Sequence, residues 1–144
     1  MSKLVTYGVT ALFTAYLPAA LWLRASYVSD KPNGSIVVQI MPPFERDGLA
    51  FVNRSPTLDQ LSAFGDNEKI KGDQRSALLI YEGFTALGPA HNTYADIRDL
   101  GSGRFSHWRR HGIIFSTSDG SDPNTNGRHY WAVVPEPRAA KQSS

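Results

Sequence analysis

The chain has 144 residues, with 15 lysines and arginines against 13 aspartates and glutamates, and no cysteine. Once about 25 residues go to an anchor, such a chain has room for one domain with its own core and not for two. The near-balance of charge leaves no electrostatic footprint for nucleic acid, and the lack of cysteine excludes disulfides, thiolate metal sites, iron–sulfur ligation and cysteine nucleophiles.

Leu4 to Leu23 is an uncharged run of twenty residues between Lys3 and Arg24. At about 1.5 Å per residue, a helix of that length spans roughly 30 Å, the thickness of a bilayer's hydrocarbon core. The run therefore predicts a single-pass transmembrane anchor over residues 1–28. A cleaved signal peptide has a shorter apolar core and a small-x-small site, whereas Leu23 and Arg24 stand here before Ala25. On a helical wheel Gly8, Ala11, Ala15 and Ala19 share one side, with Val5, Val9, Leu12, Phe13, Tyr16 and Leu17 opposite. Small residues at this spacing let a second helix approach closely, so these four are candidate partner-binding positions within the bilayer. Tyr7, Trp22 and Tyr27 suit the interfacial aromatic belts. A short leader ahead of the run and a long domain after it predict a bacterial inner-membrane protein with its domain on the periplasmic side. The run holds no histidine, so no axial ligand for a chlorophyll-type or haem pigment is expected there. No cofactor or metal is expected elsewhere.

Residues 29–35 read as a linker, from their Asp, Lys, Pro, Asn and Gly. Over 36–134, apolar runs at Ile36–Met41, Leu49–Val52, Ala77–Tyr81, Ile113–Ser116 and Tyr130–Val134 alternate with turn-forming clusters, as strands do. The pattern predicts a mainly β extramembrane domain, a small antiparallel sandwich or barrel, with one or two short helices. The helices are expected at Pro56–Phe64, capped by Ser55, and at Thr93–Leu100, capped by Asn92 or Thr93 and stopped by Gly101. Residues 135–144, with two prolines and few apolar residues, are expected to form an extended or flexible tail.

Asp122, Asn124, Asn126 and Gly127 match the first half of a calcium loop, but its closing glutamate would fall at Val133. The competing reading is an Asx-rich hairpin loop closed by Asn126-Gly127. His107 and His111 stand four apart among glycines, with no glutamate after the first, which disfavours a helical metal site. Arg104 to His111 gathers three arginines, two histidines, Phe105 and Trp108. Such a cluster suits an anionic headgroup or an acidic protein surface; the alternative is a loop with Phe105 and Trp108 turned into the core. Candidate partner-binding residues in the domain are Arg104, His107, Trp108, Arg109, Arg110 and Arg128. His91, Asp96, Asp99 and several serines could be assembled into a triad only on paper, so no catalytic residues and no enzyme activity are expected.

Within Leu78 to Tyr130, Tyr81-Glu82, Leu87 to His91, Asp96 to Arg98, Gly101, Gly103 to Trp108, Phe115-Ser116, Ser118-Asp119, Asn126 to Arg128 and Tyr130 follow one another in a fixed order. This stretch resembles a β-rich module (Y-E, L-G-P-A-H, D-I-R, G-x-G-R-F-S-H-W, F-S-x-S-D, N-G-R-x-Y) found in many bacterial proteins beside glycosyltransferase-like, sulfotransferase-like and methyltransferase-like enzymes. The resemblance implies an accessory or carbohydrate-linked role. The departures are Arg109-Arg110, where the module turns through glycine, and Tyr94, where it has a second histidine. As a whole the chain also looks like the small extrinsic subunits that hold a photosynthetic reaction centre inside a light-harvesting ring, which implies a subunit that bridges larger proteins without binding pigment.

The expectation that follows is a non-catalytic assembly subunit of a bacterial membrane complex, with the bilayer and other subunits as partners. The alternative is a membrane-tethered carbohydrate-binding module with Trp108, Tyr94 and Trp131 as stacking platforms. Rings on an exposed concave surface would favour the alternative, and rings in the core would not.

Overall fold

The computed structural model describes residues 3–54 and 56–136, with the side chains of 3–13, 15, 57 and 59 outside the description. Lys3–Ser26 forms the helix α1. Its described large apolar side chains are open, with Leu17, Trp22 and Leu23 between 56% and 70% exposed. Among the described residues no helix is long and apolar enough to cross a membrane. Of the expected small-residue face, Gly8, Ala11 and Ala15 lie outside the described side chains, and Ala19 is exposed.

The rest of the described chain is mainly β, with two four-stranded antiparallel sheets. The strands are β1 (Ile36–Ile40), β2 (Glu45–Asp47), β3 (Ala50–Asn53), β4 (Leu79–Glu82), β5 (Thr85–Ala86), β6 (Phe105–Trp108), β7 (Gly112–Phe115) and β8 (Tyr130–Val134). One sheet has the order β1-β8-β4-β5 and the other β2-β3-β7-β6. Side chains alternate across a strand, and the alternation decides the layers. Ile40, Ile80, Tyr130 and Ala132 from the first sheet meet Phe51, Phe105, Ile113 and Phe115 from the second in one core. Phe44, Phe115 and Tyr130 lock it by ring contacts, Phe115 and Tyr130 with centroids 5.1 Å apart.

The intervening residues of the second sheet, Ala50 and Ile114, are buried beneath Ile97 of a helix, α3 (Tyr94–Leu100). This helix starts where the sequence expects it. Thr93 Oγ1 accepts the Asp96 amide at 3.2 Å and donates to the Asp96 carboxylate at 2.7 Å, a reciprocal N-cap. The other expected helix, over Pro56–Phe64, is shorter: a 3-10 turn, Pro56–Leu58, followed by one turn of α-helix, α2 (Asp59–Ser62). Leu58 and Leu61 still enter the core, so the apolar spacing is used although the helix is cut short.

Two expectations are corrected. The Arg104–His111 segment is not one loop: Phe105–Trp108 is a strand, which turns through the three residues Arg109–His111 into β7 with Gly112 at φ +70°, and of the two rings expected to face inward Phe105 enters the core while Trp108 stays half-buried outside it. Residues between β7 and β8 do not close a hairpin at Asn126-Gly127 either, because these strands belong to different sheets and the connection crosses from one to the other.

Candidate functional site

Three polar assemblies stand out, and the residues singled out by sequence are divided among them. The first gathers at the C-terminal end of β7. Buried Glu82 accepts the Tyr130 hydroxyl at 2.8 Å, the Ser118 hydroxyl, and Arg128 at 3.0 Å. Arg128 reaches on to Asp119 at 2.6 Å, and Asn126 Nδ2 donates to both Ser121 Oγ and the Tyr130 oxygen. The Arg128 guanidinium holds the Asp119 carboxyl far below the usual carboxylate range, and the two carboxylates raise Arg128 in turn. Burial raises the Tyr130 hydroxyl. No buried side-chain polar atom of this cluster is left without a partner, as a structural clamp requires. The calcium-like loop is spent in the same way: Asp122 Oδ1 takes the amide and side chain of Asn124, and Asn124 Oδ1 takes the Phe44 amide at 2.8 Å.

The second assembly lies along the edge strand β6 of the second sheet. His107, 2% exposed, points into the core with Nδ1 2.8 Å from Ser76 Oγ. Asp66 Oδ1 accepts the Ser76 amide at 2.8 Å, and Asp66 Oδ2 lies 2.6 Å from His91 Nδ1. Burial lowers the pKa of His107, opposed by the charge of Asp66, so a neutral ring is favoured. The Asp66 backbone runs parallel beside the end of β6: its amide donates to the His107 carbonyl, and its carbonyl accepts the Arg109 amide. Close approach here requires Gly65, where an added Cβ would stand 2.6 Å from the Arg109 nitrogen.

The third is a cleft of about 570 Å³ on the outer side of the second sheet, at the N-terminal end of β7. Val52 and Ile114 are apolar lining residues, Tyr94 and Trp108 contribute aromatic rings, and Arg54, Arg109, Arg110 and His111 add basic groups. Arg109 Nε donates to the Gly65 carbonyl at 3.2 Å. His111 lies 3.2 Å from Glu68 and Arg54 3.5 Å from Glu45, both at the open surface. Arg110 has no such partner among the described residues. Tyr94 donates to Asp47 at 2.5 Å, which raises its pKa and fixes its ring beside the sheet.

The fold thus brings together Trp108, Arg109, Arg110 and His111 of the basic cluster with Tyr94, the second of the three rings named as stacking platforms, and adds Arg54. It does not bring Arg104, His107 or Arg128 to the cleft. Arg104 starts the other end of β6 and donates to the Gly101 carbonyl, His107 is in the core, and Arg128 is in the clamp. Trp131 is on the other sheet, with its buried Nε1 lacking a partner among the described residues. Asp96 caps α3 and Asp99 pairs with Arg98, so neither reaches His91. The carboxylate that does, Asp66, is 25 residues from it in sequence and carried no local signal. Comparison with protein-family models, with curated proteins and with solved structures returns no match.

Proposed function

We propose that this chain is a non-catalytic docking subunit of a bacterial membrane complex: a single helix tethers it, and the cleft beside Trp108 receives an acidic group of a neighbouring subunit. The observation that carries this reading is the pairing of half-buried aromatic rings with outward basic groups, Arg110 among them unpaired within the described chain. Arginine and tryptophan dominate binding energy at interfaces, and guanidinium binds carboxylates with fixed geometry. The open apolar side chains of α1 support the tether, since a surface of this kind calls for lipid or protein cover. The residue run Leu4 to Leu23 has the length for a bilayer. A periplasmic domain at the inner membrane, and a photosynthetic reaction centre with its antenna as the complex, are the narrowest forms of this proposal.

One observation favours a second reading, a membrane-tethered carbohydrate-binding module. Tyr94 and Trp108 line a concave surface and stay out of the main core, where stacking on sugar rings is open to them. Purification of the full chain from its native membrane in mild detergent separates the two. A docking subunit travels with partner proteins and is released by Arg110→Glu. A carbohydrate module travels alone, and acidic oligosaccharides change the emission of Trp108. A lone chain that ignores oligosaccharides contradicts both.

A further inference from the structure

We propose that Phe84, at the tip of the β4–β5 hairpin, seats in the interfacial layer of the bilayer that α1 enters, so that the domain rests on the membrane through this end. The inference relies on the membrane tether proposed above and adds a second point of contact. It follows from how the linker is tied down. Asp30 is four residues beyond the last residue of α1, a reach of about 14 Å at most. Its carboxylate lies 2.6 Å from His129 Nδ1, and the His129 carbonyl accepts the Gly83 amide at 2.8 Å. Phe84 is the next residue, so the exit of the helix and the hairpin tip meet at one place on the domain.

The tip is built to present a ring. Glu82 pairs with Thr85 across a two-residue loop, with Gly83 at φ +57° and no positive φ at Phe84, the pattern of a II′ turn. Directly behind it Glu82 is held by Tyr130, Ser118 and Arg128, which stiffens the base of the hairpin. Phe84 is 66% exposed, and Tyr27 and Val28, the two residues after α1, are 74% and 72% exposed. Single exposed apolar residues are ordinary on protein surfaces; position is what distinguishes this one. Phe64 is 56% exposed, but it adjoins Gly65 and Arg109 at the other end of β7, away from the tether. Aromatic and apolar side chains next to a membrane helix gain by entering the headgroup boundary. The arrangement leaves the Arg109–His111 turn at the opposite end of β7, free for a partner.

The cysteine-free chain allows a direct test. Full-length protein carrying a nitroxide at Phe84→Cys, Leu17→Cys or Phe64→Cys is reconstituted into phosphatidylcholine–phosphatidylglycerol vesicles, and collision with oxygen is compared with collision with a water-soluble nickel chelate. The expected result is a lipid-like ratio at positions 84 and 17 and a water-like ratio at 64. Thr85→Cys supplies a second reporter on the same tip, and circular dichroism confirms the β content of each variant. A water-like tip with a lipid-like position 17 overturns the proposal and leaves the tether standing. Water-like ratios at both remove the tether as well, and a tip no more shielded than position 64 also overturns the proposal.

Discussion

The two ends of β7 use the same residue types to opposite effect. At its C-terminal end Arg128 meets two carboxylates, and Glu82 is further satisfied by Tyr130 and Ser118. At its N-terminal end Arg109, Arg110 and His111 stand around Trp108 with at most weak surface pairing. Arginine is therefore no guide to function by itself. What matters is whether the fold supplies its carboxylates: where it does, the cluster stabilises the domain, and where it does not, the guanidinium stays in water and is open to a carboxylate from elsewhere.

Removal of a key residue at each end should separate stability from binding. Glu82→Ala takes the common acceptor from Tyr130, Ser118 and Arg128. We expect a loss of about 3 kcal/mol, read as a lower urea midpoint. Tyr130→Phe removes one hydroxyl from the same clamp and should cost about 1 kcal/mol. If both variants unfold at the wild-type midpoint, the clamp is not structural.

The buried histidine gives a pH test between the ends. Burial depresses the pKa of His107 below 6.5 in the fold, so the unfolded chain takes up its proton first. The stability it contributes is present above pH about 6.5 and is lost as pH falls through the folded value. Urea midpoints measured downward from pH 7 should fall, and His107→Gln should flatten that slope. An unchanged slope would show that His107 titrates alike in both states.

Arg110→Glu is expected to have the smallest effect on folding, within about 0.5 kcal/mol, because the side chain is exposed and unpaired among the described residues. It should nevertheless weaken partner binding by about tenfold or more, as charge reversal in a cationic cleft opposes an acidic group.

Some of this was legible in the sequence, for reasons that lie in particular residues. The limits of β8 and the start and stop of α3 followed from local chemistry: an unbroken apolar run in one case, Thr93 and Gly101 in the other. β2, β5 and β6 were not foreseen. β2 is the exposed charged triplet Glu45–Asp47 on a sheet edge, and β5 has only two residues. In β6 the inward and outward positions include Ser106 and His107, polar side chains buried with partners 14 and 31 residues away. Trp108, Arg109 and Arg110 could be named because they are contiguous. Arg54 and Tyr94 join them only through strand pairing and the seat of α3, which no local pattern encodes.

The most direct test of the contrast between the ends is a native-gel comparison of wild type with the Arg110→Glu variant, each extracted from its own membrane in mild detergent, alongside their melting curves. The account predicts an unchanged melting midpoint and a shift of the variant from a large assembly to a small species. A variant that melts like wild type and still migrates with the full assembly would contradict it.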